Sequence, residues 1–205
     1  MKILVGCECS GVVRDAFIAR GHDAVSCDMV PSDRPGPHYL GDVRDLLSDP
    51  WDMGIFFPPC TRLAVSGALR FKGREREQEE ALAFINVLLE AKIYRIALEN
   101  PVGVISTRIA RPSQIIQPHQ FGEDASKKTC LWLKNLPLLV PTKIIPGRFV
   151  GYDKRGKPIY RWANQTDSGQ NRLGPSPTRA KDRGETYQGV GDAMADQWGA
   201  LEPPR

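Results

Sequence analysis

No two cysteines in this 205-residue sequence stand as C-x-x-C, and only three histidines are present, His22, His38 and His119. That supply leaves no convincing zinc-ligand set, so no metal is expected. Cys7-x-Cys9 is an alternation at a strand end rather than a ligand spacing. The five cysteines (Cys7, Cys9, Cys27, Cys60, Cys130) are odd in number, and free thiols fit a reducing cytoplasm. No apolar run approaches the ~20 residues that span a bilayer. The apolar start, residues 1–6, is too short for a signal segment and is soon interrupted by Glu8. A cytoplasmic protein without membrane contact is therefore expected. A strong charge imbalance is missing too. The formal net charge of +4 is compatible with a polyanionic partner without demanding one. There is no internal repeat.

What is present is ordinary for a globular chain: 41% hydrophobic and 25% charged residues, enough for one good core in a single domain. Residues 2–7 read as a strand, 8–11 as a turn, and 12–20 as a helix with Val13, Phe17 and Ile18 on its apolar side. Gly21 closes that helix, and residues 23–28 form a second strand ending in Asp28. Together these make one β-α-β unit. A Pro/Gly-rich loop follows over 29–39, then Gly41-Asp42-Val43 and a short helix over 44–47. Residues 51–57 are strand-like. The clearest helix spans 75–91, with Ala81, Phe84, Ile85, Leu88 and Leu89 at helical spacing. Residues 94–101 form the next strand, 104–109 a short helix, and 115–118 and 130–134 candidate strands. A last helix within 185–199 shows Val190, Ala193, Met194 and Trp198 on one face. Strands separated by helices imply a mostly parallel, doubly wound α/β sheet of the Rossmann-like kind.

Residues 143–183 are basic, with ten Lys/Arg against Asp153, Asp167 and Asp182, and rich in Gly, Pro, Asn and Gln. Such a segment suits either contact with nucleic-acid phosphates or a solvated loop.

Two strand ends carry chemistry. Proline cannot donate to a central ladder, so the strand over 51–57 stops at Pro58-Pro59-Cys60. Cys60 then sits on a stiff loop at a carboxyl sheet edge, where open parallel sheets bind ligands. Alone, it is as well read as a small buried thiol. Glu99-Asn100-Pro101 ends the next strand, 39 positions after Cys60, an interval that fits one right-handed crossover. Alone, Glu99 is a surface acid or a cap. Together, a thiol and a carboxyl at one edge permit attack on an electron-poor carbon while the acid handles a ring proton. The first turn, Gly6-Cys7-Glu8-Cys9-Ser10-Gly11, is not G-x-G-x-x-G. Asp28, about 20 residues on, is nevertheless placed for ribose hydroxyls. Asp42 suits a turn or helix cap as well as a ligand.

In order and spacing these residues resemble the S-adenosylmethionine-dependent DNA cytosine 5-methyltransferases. Residues 4–17 stand for the first cofactor motif, Asp28 for the ribose acid and Gly41-Asp42-Val43 for the adenine side. Pro58-Pro59-Cys60 stands for the nucleophile motif and Glu99-Asn100-Pro101 for the Glu-Asn motif. Gly189-Val190-Gly191-Asp192-Ala193-Met194 resembles the family's last motif. Phe121-Gly122 and residues 128–134 are similar to the short members found in phages and prophages.

The resemblance implies a class I methyltransferase-like fold with a catalytic core over 1–139. A reduced target-recognition segment over 140–186 and a C-terminal helix over 187–205, packing back on the core, follow. It implies that Cys60 adds to carbon 6 of cytosine and that Glu99 contacts ring N3 and the exocyclic amine, with Pro59 and Asn100 completing the catalytic group. S-adenosylmethionine is the implied donor. Cys7, Glu8, Cys9 and Gly11 in the first turn, Asp28 and Met29, Asp42 and Val43, and Pro58 would face it. Thr61, Ser66 and Pro101 would line the substrate pocket. Lys127, Lys128 and Thr129 stand where the family supports the flipped base. DNA is the implied partner, bound with little sequence specificity. With so short a recognition segment, four alternatives stay open: the same chemistry on a free cytosine nucleotide or with a modified donor, recognition supplied by a partner protein, a non-catalytic nucleic-acid binder on this scaffold, and a nucleoside-processing transferase.

Overall fold

The computed structural model describes residues 1–65, 72–174, 184 and 186–203. Its centre is a seven-stranded sheet in the order β3-β2-β1-β4-β5-β7-β6. The strands are β1 (Lys2–Gly6), β2 (Asp23–Asp28), β3 (His38–Leu40), β4 (Met53–Phe56), β5 (Arg95–Pro101), β6 (Gln114–Ile116) and β7 (Thr129–Lys134). β1 to β5 are parallel neighbours. β7 runs antiparallel between β5 and β6. This is the doubly wound, mostly parallel, Rossmann-like sheet that the alternation of strands and helices predicts.

Both sheet faces are covered, so the central strands are apolar on both sides. On one face α1 (Val12–Ile18) and the C-terminal α4 (Gln188–Gly199) pack Val13, Phe17, Val190, Met194 and Trp198 against Ile3, Val5 and Ala97. On the other, α2 (Glu75–Leu89) sets Leu82, Ile85 and Leu88 against Leu4, Phe56, Ile96 and Leu98. Truncating a side chain such as Ile85 to alanine would cost about 2–5 kcal/mol. A four-residue helix, α3 (Ile105–Arg108), follows β5. No helix among the described residues is long and apolar enough to cross a membrane.

The structure departs from the expected pattern in several places. Helix α1 stops at Ile18 because the N–H groups of Arg20 and Gly21 turn to the carbonyls three residues back. Ile18 is exposed, while Arg14 takes an inward position and is fully buried. In α2 the missed Leu82 is buried, whereas Ala81, Phe84 and Leu89 are only partly covered. The helix ends at Leu89 rather than residue 91. The last helix starts at Gln188 because Tyr187, its N-cap, is extended. Within 140–186, where irregular chain is expected, β8 (Arg148–Tyr152) and β9 (Pro158–Arg161) form an antiparallel hairpin.

Candidate active site

From β1 the chain winds outward through β2 and β3, then returns to β4 and β5 on the other side. The winding reverses between β1 and β4, which leaves a crevice outside their carboxyl ends. Gly6 lies level with Cys27 and with Phe56, and Phe56 with Leu98. Cys7, Asp28, Phe57 and Glu99 are therefore each the next residue past one level of the same edge.

Strand β4 ends at Phe56, and Phe57 N–H donates to the carbonyl of Gly6 (2.9 Å). Pro58 is buried, Pro59 exposed and Cys60 partly exposed. The Cys60 carbonyl accepts the N–H groups of Leu63 and Ala64 (2.9 Å each), so the chain turns tightly behind the cysteine. This loop is stitched to the end of β5. Asn100, fully buried, donates its side-chain amide to the carbonyl of Pro58 (2.9 Å). Val65 N–H donates to Val102 O (3.0 Å) and Val104 N–H to Leu63 O (2.9 Å). Gly103 makes the approach possible, since a Cβ there would lie 2.0 Å from the Leu63 carbonyl oxygen. A third tether is electrostatic: Arg62 donates to Glu77 of α2 (2.6 Å).

Glu99 opens into a shallow pocket lined also by Phe57, Lys127, Thr129, Tyr187 and Met194. Burial pushes its carboxyl above the ordinary value of 4.5, against the opposing pull of Lys127 and of a hydrogen bond with Thr129. The Thr129 hydroxyl donates to the Lys127 carbonyl (3.1 Å). Thr129 stands opposite Pro101 in the β5–β7 register, which carries it beside the Glu99 strand end.

The β1 side of the crevice is acidic. Cys7 has a positive φ of 59° and a thiol pushed up to about 12, first by burial, then by Asp28, Cys27 and Asp42. Glu8 is buried and its carboxyl is raised by desolvation. One of its oxygens accepts from Ser10, while the other, Oε2, is buried with no hydrogen-bond partner. Asp28 accepts the N–H of Val30 (3.2 Å). Asp42 caps the 3-10 turn Val43–Leu46 through Arg44 N–H (2.9 Å) and also binds the Arg44 guanidinium, which holds its carboxyl below the usual range.

The expected residues divide clearly. Glu99, Lys127 and Thr129 share one pocket, while Cys60, Asn100 and Pro58 share one stitched loop. Cys7, Glu8 and Asp28 sit at the neighbouring strand ends. Met29 is 71% exposed, and Lys128 and Thr61 are exposed. Val43 is buried in the core beside Gly6 rather than open to the crevice. Ser66 lies outside the described residues. Phe57, Ile116, Pro118, Thr186 and Tyr187 line the Glu99 pocket without having been expected there. Only the last-helix motif just after Tyr187 signalled that region. Arg14 was also missed. Its guanidinium donates to Asp15 (2.8 Å), Ser26 (3.0 Å), Ser32 (3.1 Å) and the carbonyls of Arg34 (3.3 Å) and Pro35 (3.0 Å). That network pins the loop after β2. Its signal was an arginine on the same helical face as Phe17 and Ile18.

No protein-family model matches the chain, and no curated protein matches it. Among solved structures it is similar to a prophage-encoded E. coli protein described as a DNA modification methyltransferase, at 13% identity and a TM-score of 0.44. The match covers 72% of this chain and 52% of that one, so this chain spans about half its length.

Proposed function

We propose that this chain transfers a methyl group from S-adenosylmethionine to carbon 5 of cytosine in DNA, through transient attack by Cys60. The observation that carries the reading is the stitch between the Cys60 loop and the β5 end. It ties the loop that carries Cys60 to the strand that carries Glu99, a carboxyl raised by burial, beside the switch-point crevice.

The crevice residues fit the donor. Asp28 and Asp42 add to burial in raising the Cys7 thiol, and Glu8 is a further carboxyl on this β1 side. A pyrophosphate would be repelled there, whereas ribose hydroxyls and a cationic amino-acid end would be held. The Glu8 Oε2, buried without a partner, suits an ammonium group. Asp28 would take the ribose hydroxyls. When bound, S-adenosylmethionine supplies an electrophilic methyl group for carbon 5.

The chain's own residues do the rest. The Cys60 thiolate forms a bond to carbon 6 of the cytosine, and the ring electrons move toward N3. Glu99, whose carboxyl burial raises, donates a proton to N3. Its carboxylate is then left facing Lys127, which stabilises it. Carbon 5 is now electron-rich. Carbon 5 takes the methyl group, leaving S-adenosylhomocysteine; solvent then takes the carbon-5 proton, N3 returns its proton to the Glu99 carboxylate, the carbon–sulfur bond breaks, and the thiolate returns. Asn100 touches none of these atoms; by holding the Pro58 carbonyl it positions the loop. A stacked cytosine is unreachable, so the base must leave the helix.

Incubation with DNA and methyl-labelled S-adenosylmethionine should yield 5-methylcytosine on nucleoside analysis. A 5-fluorocytosine oligonucleotide should be trapped on Cys60. Cys60→Ser should give neither product while still binding the donor. Full transfer by that variant, or label on another base, would sink the reading.

A further inference from the structure

The β8–β9 hairpin takes no part in this chemistry, yet it is the most unusual surface of the molecule. Residues 148–161 hold five Lys/Arg (Arg148, Lys154, Arg155, Lys157, Arg161) against one acid, Asp153. Five against one gives a formal +4, the net charge of the whole chain. Asp153 is engaged within the turn, accepting the N–H groups of Arg155 (2.8 Å) and Lys157 (2.9 Å). Arg148 is paired with Asp167 (2.5 Å), and Arg161 donates to the Asp167 carbonyl (3.2 Å). Lys154, Arg155 and Lys157 stand exposed at the turn.

Three aromatic side chains on the same hairpin are also exposed: Phe149 (49%), Tyr152 (69%) and Tyr160 (47%). Phe149 and Tyr160 are cross-strand partners. Tyr152 lies three residues after Phe149, so in a regular strand it would point to the opposite face. The register shifts at Gly151, whose φ of 140° suits glycine, and the extra residue turns Tyr152 back. The Phe149 ring lies 5.2 Å from Tyr152 and 6.0 Å from Tyr160, both edge-on. One open face therefore carries three rings beside three cations.

The segment just past β9 is joined to residues beside the Glu99 pocket. Trp162, just past β9, stacks on His119 (4.0 Å, 11°) and donates to the Ile145 carbonyl (3.0 Å). Asn164 and Ser126 exchange two hydrogen bonds of 2.9 Å. His119 follows Pro118 and Ser126 precedes Lys127, and both of those neighbours line the pocket.

We infer that the hairpin binds unpaired nucleotides of the DNA strand that carries the target cytosine. An aromatic ring stacks on any base whose face is open, and cations at the turn follow the phosphates. Paired, stacked bases hide those faces, so the surface is matched to single-stranded or opened DNA rather than to intact duplex. This rests on the proposed function for the strand being DNA and for the identity of the target base.

The test is fluorescence anisotropy of the full chain with a labelled single-stranded oligonucleotide and with its duplex, over a salt series and without methyl donor. The single strand should bind more tightly than the duplex. Phe149→Ala with Tyr152→Ala should weaken single-strand binding by about fivefold or more, with an unchanged salt slope. Tyr152→Phe, which keeps the ring, should bind as the parent chain. Lys154→Ala, Arg155→Ala and Lys157→Ala together should reduce the slope of log affinity against log salt by about 2. Circular dichroism should show each variant folded, since all these side chains are exposed. Unchanged single-strand affinity in the aromatic double variant would overturn the inference, as would preferred binding of duplex. Sedimentation showing that the same variant converts a dimer to monomers would overturn it too, by making the face a contact between copies. Methyl transfer is measured separately on both DNA forms. Transfer that proceeds without the hairpin effects removes this inference alone, and hairpin effects without transfer remove the enzymatic reading alone.

Discussion

Replacing Gly103 by alanine is the sharpest perturbation of the way Cys60 is held. The added Cβ would lie 2.0 Å from the Leu63 oxygen, 2.8 Å from its carbonyl carbon and 3.1 Å from Ala64 Cα. All three atoms are backbone, so no rotamer change relieves the overlap. The two segments must part, which strains or breaks the Val104–Leu63 and Val65–Val102 hydrogen bonds. Each is worth about 0.5–1.5 kcal/mol, and overpacking adds about 1–3 kcal/mol. With partial relaxation the loss is about 2–4 kcal/mol, a fall in Tm of roughly 5–15 °C for a chain of this size. The effect on rate should be larger in kind, because a shift of ~1 Å in a reacting atom costs about a hundredfold. Single-turnover trapping on 5-fluorocytosine DNA, run well below the variant's Tm, separates the two effects. Expected is a folded protein whose adduct forms about a hundredfold more slowly. A lowered Tm with the parent rate would show that the stitch stabilises the fold without positioning Cys60. An unchanged Tm would refute the close approach itself.

Glu99→Gln should lower transfer at least a hundredfold without loss of stability at neutral pH. The folded carboxyl is raised above 4.5, so the folded state holds a proton that the unfolded chain releases; stability is fullest below 4.5 and falls as pH rises through the folded value. The Tm gap between Glu99→Gln and the parent should therefore widen in the variant's favour from pH 5 to 8, and a pH-independent gap would contradict the protonated carboxyl. Arg14→Met leaves the Pro35 carbonyl without its donor and removes one of the partners of Ser26, Ser32, the Arg34 carbonyl and Asp15, which keep His38, Arg34, Ser32 and Arg34 respectively. Losing the donor to a buried carbonyl and the bonds around it costs about 1–3 kcal/mol, to be read from chemical denaturation, and an unchanged stability would show the network to be incidental.

Much of this architecture is legible because local chemistry and tertiary placement agree. Ile3, Leu4 and Val5 are buried on both sides, so an unbroken apolar run marks a central parallel strand. Pro58 ends β4 where a missing N–H demands it. Glu99 and Cys60 are legible as residues at or just past strand ends, but the residues that close the Glu99 pocket are not. Tyr187 and Met194 come from the far end of the chain, and Thr129 arrives on an antiparallel strand inserted beside β5. The hairpin is hidden for a simpler reason. A strand is recognised by alternation, and the bulge at Gly151 breaks it: Phe149 and Tyr152, an odd number of residues apart, share a face. Asp42 illustrates the remaining ambiguity, because a carboxylate that caps a 3-10 turn and binds Arg44 has the same sequence signature as one that waits for a ligand.

On the proposed function, the distribution of charge is what lets so short a chain handle two partners of opposite sign. The donor is cationic and the acceptor strand is polyanionic. Apart from the hairpin the chain is formally neutral, with 23 acids balanced by 23 bases, since the hairpin removes five of 28 Lys/Arg and one of 24 Asp/Glu. Within that neutral body Glu8, Asp28 and Asp42 gather at the β1 side of the crevice, where phosphate is unwelcome. The cations that suit phosphate project on β8–β9, a separate element joined to the core through His119, Asp124 and Ser126. Cys60 follows β4 and Glu99 lies in β5, between the β1 side of the crevice and β7, whose start carries Thr129. A uniformly basic surface would strengthen DNA binding but would also draw phosphate into the donor's crevice. Confining the basic excess to one hairpin avoids that competition, and it gives the aromatic face beside the cations a reason to be there.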